Sequence, residues 1–275
     1  MITVDLHSHT LHSHGKDTTQ AMAAAAFARG FSIFGFSEHS LRPAGYRYGE
    51  DYQMRLAAGF PAYIREVREE RERYAGRMTV LLGLEMDYMP EEEAFAREAA
   101  AACPYDYVIG GLHFLDSWGF DGSVHEWNEL SAEGCHAHFA AYYRDMAQLA
   151  ASGIFHMVSH PDLIKLFRVD SFHAWLERAE SRALVREALA ALQQHGLAME
   201  ISSAALRKGL GEPYPGPVIM EIARELDLPV FFGSDAHAAD QVGHAFDRLE
   251  AYARHFGYTS SVYHVRGVRH AMPFA

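Results

Sequence analysis

Ile2-Thr3-Val4-Asp5-Leu6-His7-Ser8-His9 is a short apolar, β-branched run that ends on two imidazoles two residues apart. Alternate residues of an extended chain point the same way, so His7 and His9 face one site while the run before them fits a buried strand. The construction repeats along the chain. Candidate strands at Ser32–Phe36, Thr79–Gly83, Tyr107–Gly111, Ile154–Val158, Ala198–Ile201 and Val230–Phe232 lead into Ser37-Glu38-His39, Glu85, His113, His160, Glu200 and Asp235-Ala236-His237. Helical stretches lie between them, near residues 18–29, 57–75, 91–102, 133–151, 173–195, 216–227 and 240–256. Val185, Leu189 and Leu192 keep one helix face, Val218, Ile219, Ile222 and Leu226 do so after Pro217, and Pro90 before Glu91-Glu92-Glu93 marks a helix start. Seven βα units without a break in composition predict an α/β fold with a parallel sheet, closed or nearly closed into a barrel, as one domain over residues 1–275.

The polar residues at the strand ends then acquire a common meaning. In a barrel the C-terminal strand ends converge on one face. His7, His9, His14, His39, His113, His160 and His237, with Glu85 and Asp235, would meet there. Imidazole and carboxylate without thiolate suit zinc, manganese or ferrous iron in a hydrolytic role. These are more ligands than one ion takes, so the economical reading is a binuclear or trinuclear cluster with a bridging carboxylate. Most of the remaining histidines fall in predicted helices or tails and read as structural. His136 and His138 repeat the spacing of His7 and His9, but on a helix such residues diverge by about 200° and cannot share a metal. Glu200 either stands behind a ligand or reads a cationic substrate group. Glu38 is either a neighbour of the ligand His39 or a carboxylate orienting an imidazole.

Composition limits the alternatives. The 275 residues carry 24 basic and 36 acidic side chains, a net charge of −12, which argues against general nucleic-acid binding or a membrane-surface role. An anionic substrate stays compatible, because a metal cluster reverses the local sign. Cys103 and Cys135 form no metal or disulfide motif, which fits a reducing compartment. No apolar run approaches the roughly 18 residues that span a bilayer, and Met1–Asp5 does not open a signal peptide. A cytoplasmic location is expected.

The motifs Asp5-Leu6-His7-Ser8-His9 with His14, Ser37-Glu38-His39, Gly83-Leu84-Glu85, Gly111-Leu112-His113, Ser159-His160-Pro161-Asp162 and Gly233-Ser234-Asp235-Ala236-His237 resemble, in their order, those of the PHP (polymerase and histidinol phosphatase) superfamily. Leu81–Tyr88, Gly111–Asp116, Asp162–Phe167 and Ala205-Leu206-Arg207-Lys208 look most like its stand-alone histidinol-phosphate phosphatases. The resemblance implies a distorted (β/α)7 TIM-like barrel and three divalent ions per chain, of zinc, iron or manganese. It places His7, His9, Glu85 and Asp235 on one ion, Glu85 (bridging), His113 and His160 on a second, and His14, His39 and His237 on a third. It implies Arg168 and Arg207 as the grip on a substrate phosphate. An added His12 stands between His9 and His14.

The expected reaction is therefore hydrolysis of a small-molecule phosphate monoester, L-histidinol phosphate, with catalysis falling on Glu85, Asp235 and His237. Asp116, Glu200 and Asp162 are candidate partners for the substrate's ammonium and imidazole. Two longer loops, 40–56 and 114–132, offer Tyr46, Tyr48, Tyr52, Trp118 and Trp127 as stacking surfaces or as a lid. The competing readings are another PHP-type phosphoesterase acting on nucleotides or nucleic acid, an amidohydrolase-type barrel, and a metal-stabilised module without activity. The second needs a lysine at a strand end, and Lys16, Lys165 and Lys208 close no predicted strand; the third would have lost ligands.

Overall fold

A computed structural model describes residues 1–46 and 50–274. Among them, strands form at β1 Val4–Asp5, β2 Ile33–Phe36, β3 Thr79–Asp87, β4 Tyr107–Gly111, β5 Phe114–Leu115, β6 Trp118–Gly119, β7 Met157–Val158, β8 Ala198–Ser202, β9 Val230–Gly233, β10 Ser260–Val265 and β11 Val268–Pro273. Seven of them make one sheet in the order β1-β2-β3-β4-β7-β8-β9, every pair parallel. The two outer strands approach each other just beyond β1 and β9. Leu6 N–H donates to Phe232 O at 3.0 Å, His9 N–H to Ala236 O at 2.8 Å, and Ser8 bridges Ala236 in parallel. The sheet is thus a nearly closed barrel, the distorted TIM-like form expected.

Strand alternation sorts the apolar residues into two compartments. Ile33, Leu81, Tyr107, Ile109, Met157, Ala198 and Phe231 fill the barrel interior with Val4 and Leu6. Their neighbours Phe34, Val80, Leu82, Val108, Met199 and Val230 face outward onto the helices, against residues such as Met22, Val67, Leu149, Leu192 and Ile219. Tyr107 is the largest interior residue and is fully buried. Its hydroxyl donates to Leu6 O at 2.7 Å, and Gly35 and Gly83 make room for it: a Cβ on Gly35 would lie 2.0 Å from that oxygen, and one on Gly83 2.3 Å from the ring. The helices start where the sequence supplies caps. Thr18 accepts from Ala21 N–H before helix Thr19–Ala28, Ser131 from Gly134 N–H before helix Ala132–Ala151, and Pro217 opens helix Pro217–Glu225.

Several boundaries differ from the sequence expectation. The helix expected from residue 57 begins at Glu50, which shortens the 40–56 loop and puts Tyr52 on a helix; Tyr48 lies outside the described residues. The 173–195 stretch is two helices, Val169–Leu176 and Ala179–Gln194, parted where Arg178 turns extended. Helix Phe246–His255 starts late because Gly243 and Ala245 both take positive φ. The 114–132 loop holds the β5–β6 hairpin and a short helix, Val124–Asn128. The largest difference lies beyond residue 256, where no strand or helix was expected. Antiparallel β10 and β11 turn at Arg266 and Gly267, both at positive φ. Val262, Tyr263, Val265 and Met272 pack on the interior cluster, and Arg266 and Gly267 N–H groups bond Asp106 at the start of β4, so the hairpin covers the N-terminal end of the barrel. No helix of the described residues is long and apolar enough to cross a membrane.

Candidate metal centre

Glu85 rises from the middle of the C-terminal barrel face, about 1% exposed, and touches five imidazoles. Its Oε2 lies 3.2 Å from His7 Nε2, 3.4 Å from His9 Nε2 and 3.1 Å from His39 Nδ1. Its Oε1 lies 3.0 Å from His160 Nε2 and 3.8 Å from His113 Nε2, and accepts from the Ser159 hydroxyl at 3.0 Å. Burial opposes its charge, yet the surrounding imidazoles, His7 and His39 foremost, hold its carboxyl well below the usual carboxylate range. Asp235 Oδ1 completes one side at 3.3 Å from His9 Nε2 and 3.7 Å from His7 Nε2. Three groups bring ligand atoms close enough to share an ion: His7, His9 and Glu85; Glu85, His113 and His160; and His9, His39 and His237. The second has the three residues expected together, and the first has three of the four expected, without Asp235. In the third, His9 stands where His14 was expected, with His14 stacked beside it at 4.2 Å from the His237 ring and 4.9 Å from His39. His12 is turned away onto Glu66, 2.8 Å from its Oε2.

The ligand atoms are oriented from behind. His7 Nδ1 meets Glu200 Oε1 at 2.8 Å, and the other Glu200 oxygen accepts the His160 N–H at 2.6 Å. Glu200 is fully buried and both its oxygens are engaged by His7 and the His160 backbone, so of the two readings its sequence position allowed, its place fits the carboxylate behind a candidate ligand. His113 Nδ1 likewise donates to Asp87, which also accepts from Arg42 Nε. Burial opposes the Asp87 charge, but Arg42 and His113 hold the carboxyl below its ordinary value. Asp5 receives the Ser234 and Gly243 N–H groups at 2.9 and 3.1 Å, while burial pushes its pKa up to about 6. Glu38 binds the backbone and hydroxyl of Thr10 and so fixes the 10–14 turn rather than an imidazole. The candidate ligands His160 and Asp235 sit at positive φ, 22° and 48°, a strained geometry of the kind concentrated at functional sites.

The donor set fits divalent metal. Buried Nε2 of His7, both ring nitrogens of His9, Nδ1 of His39 and Nε2 of His237 have no hydrogen-bond partner among the described residues, although buried polar atoms are normally paired. Burial, with His9 beside it, lowers the His39 pKa well below the usual value, and burial lowers that of His237 to about 4; both rings therefore present lone pairs at neutral pH.

A cavity of about 490 Å³ opens over the cluster. Beside the ligands it is lined by Arg42, Tyr52, Arg55, Asp121, Gly122, Leu163 and Lys208. Sequence reasoning did not single out these cations. It chose Arg168 and Arg207, and neither lines the cavity. Arg168 donates to Asn128 Oδ1 at 2.7 Å, and Arg207 donates to the carbonyls of Ser234 and Asp235 at 2.9 and 2.7 Å. Asp116 is exposed at the β5–β6 turn and Asp162 is buried against Lys165, so neither lines the cavity. Trp127 is fully buried, donating to Phe120 O and packing 5.0 Å from Trp118; these tryptophans are core, not a stacking surface. Of the loop tyrosines, Tyr46 packs on Phe114 and Tyr52 reaches His14 Nδ1 at 3.3 Å.

The sequence matches the PHP domain model over residues 5–204 and the PHP-associated model over residues 218–256. A Deinococcus radiodurans protein named a probable histidinol-phosphatase is 35% identical over 245 residues, spanning 88% of this chain and 89% of its own. The Bacillus subtilis histidinol-phosphatase is 30% identical over 261 residues, spanning 88% of this chain and 96% of its own. The backbone superposes at a TM-score of 0.80 on the crystal structure of a Lactococcus lactis histidinol phosphate phosphatase complexed with zinc, L-histidinol and phosphate. That structure covers 98% of both chains at 17% identity, a likeness of fold.

Proposed function

The chain belongs to the PHP domain family, and on that premise we propose that it is a metal-dependent phosphoric monoester hydrolase acting on L-histidinol phosphate, a cytoplasmic enzyme of histidine biosynthesis folded as one unit over residues 1–275. The observation that carries the reading is Glu85, one buried carboxylate whose two oxygens contact five histidines delivered by four strand ends. The Deinococcus and Bacillus relatives support the substrate.

Three divalent ions, of zinc, iron or manganese, would be held by His7, His9, Glu85 and Asp235; by Glu85, His113 and His160; and by His39 and His237 with His9 or His14. Bound there, they would supply Lewis acidity to the phosphate and an activated water at neutral pH. The rest is work for the chain. Glu85 and Asp235 keep the ligand shell anionic, and His237 anchors it at the mouth. Lys208 presents positive charge to the phosphate from the cavity wall. Arg207 acts from behind, holding the Asp235 backbone in its left-handed conformation. Asp121, a cavity carboxylate outside the ligand set, is suited to the substrate's ammonium.

Phosphate release tests this. L-Histidinol phosphate should be hydrolysed with a kcat/KM about a hundredfold above p-nitrophenyl phosphate or a nucleoside monophosphate, a gap of about 2.7 kcal/mol in transition-state stabilisation. Degradation of single-stranded DNA or RNA at a matching rate would overturn the assignment in favour of a nuclease.

A further inference from the structure

Asp87 follows Glu85 by two residues on β3, so the two carboxylates leave the strand on the same side. One oxygen of Asp87 accepts the His113 Nδ1 proton and the other accepts from Arg42 Nε, and both side chains of that ion pair are about 1% exposed. With Nδ1 committed, His113 has only Nε2 to offer, and that atom faces Glu85 Oε1 at 3.8 Å. Arg42 extends the chain of contacts across the cavity. Its guanidinium lies 5.3 Å from the centre of the Phe114 ring and 5.6 Å from that of Tyr52, and Tyr52 reaches His14.

From this geometry we infer that Asp87 and Arg42 are positioning residues for the metal ligand His113. Asp87 sets the tautomer and ring plane so that Nε2 points at the Glu85–His160 group. Arg42 fixes Asp87 while forming part of the cavity wall, which ties the wall carrying Tyr52 to the ligand shell. Arginine suits this place because a planar guanidinium can bond a carboxylate along one edge and lie against rings on its faces; an ammonium cannot do both. Neither residue touches the reacting atoms. The inference rests on the metal-dependent reading above, but its readout is metal affinity and not turnover.

Metal-depleted protein is titrated with zinc against a chromophoric chelator, for the parent, Asp87→Asn and Arg42→Lys, with cooperative unfolding followed on the same samples. Substitutions at carboxylates that orient ligating histidines typically weaken metal binding about 10- to 100-fold. Asp87→Asn is expected to weaken one ion per chain by that factor while the other ions keep the parent affinity. Arg42→Lys, the milder change, should weaken the same ion by a smaller factor. Parent affinity for every ion in a folded Asp87→Asn protein would overturn the inference and leave a structural ion pair. A uniform loss across all ions in either folded variant would overturn it too, because no single ligand would then be the one positioned. A parent that binds zinc but leaves L-histidinol phosphate intact would sink the substrate assignment alone, with the affinity comparison still deciding the roles of Asp87 and Arg42.

Discussion

Lys165→Met should be among the most damaging single changes outside the ligand shell, although methionine nearly fills the same space. Lys165 is fully buried, and its ammonium lies 2.7 Å from Asp162 Oδ2, 2.6 Å from Glu212 Oε1 and 3.3 Å from Pro213 O, over the Tyr214 ring. Asp162 is fully buried too, and burial already raises its pKa despite Lys165 and a 2.7 Å bond from Gly216 N–H. Glu212 is different: burial opposes its charge, but Lys165 and His173 hold it below the usual range, and its side chain keeps 17% of its exposure. Removing the ammonium therefore strands Asp162 while Glu212 rehydrates. Breaking a buried ion pair from one side costs about 3–5 kcal/mol, and the rehydration of Glu212 places the expected loss at about 3 to 4. At this chain length that lowers the unfolding midpoint by roughly 10 °C. The sign with pH follows from Asp162. Its raised pKa means that the folded chain penalises the charged form, so the deficit is full at pH 7 and shrinks as acid protonates the carboxyl. Urea unfolding at about pH 7 and pH 5 measures both, and Asp162→Asn/Lys165→Met should recover at least half the loss. A Lys165→Met protein within about 1 kcal/mol of the parent at pH 7 would refute the reasoning.

Three further outcomes are expected. Gly35→Ala puts a Cβ 2.0 Å from the Tyr107 hydroxyl oxygen and should cost about 1–3 kcal/mol; Gly35→Ala/Tyr107→Phe should be less unstable than the sum of its parts, and strict additivity in urea melts would exclude the clash. His264 is buried, and burial, with His156, Arg269 and His270 nearby, lowers its pKa to about 3 from an ordinary 6.5. Its contribution to stability is thus complete above pH 6.5 and is lost toward pH 3. His264→Phe should flatten the acid limb of the stability profile, and an unchanged slope between those values would refute the assignment. Glu85→Gln should lose more bound metal and more phosphatase activity than His14→Gln, because Glu85 belongs to two candidate ligand groups and His14 stands beside the third; equal losses by elemental analysis would argue against a bridging carboxylate.

The barrel and most of the residues that gather around Glu85 were legible because they rest on local rules. A strand buried on both faces reads as an apolar run, and the ligand at its end interrupts that run, so Glu85, His113, His160 and Asp235 announced themselves by type and place. What failed was anything decided by the far end of a side chain. Arg207 and Lys208 are adjacent, yet the guanidinium is spent on two backbone carbonyls and it is the lysine that lines the cavity. Asp87 stood inside a quoted motif without a role, since its partners His113 and Arg42 lie 26 and 45 residues away. Trp127 looked like a loop aromatic until a hairpin and a helix enclosed it. The β10–β11 hairpin left a fainter mark, β-branched residues before the Arg266-Gly267 turn, and it was missed because seven strands already made a satisfactory barrel.

That hairpin also sets an order of events during synthesis. Chains emerge from the ribosome at about 5–20 residues per second, and units fold as they become complete. The seven barrel strands are all out once Gly233 has emerged, yet Val262, Tyr263 and Val265, which close the interior cluster around Ile109, Met157 and Phe231, are still to come. Until then the nascent barrel has one end open to water, while the candidate ligands, the last of them His237, emerge soon after Gly233. The face that carries the candidate site is thus complete in sequence before the opposite face is sealed, and a chain held with His237 emerged and Ser260 still to come would be a barrel open at its base.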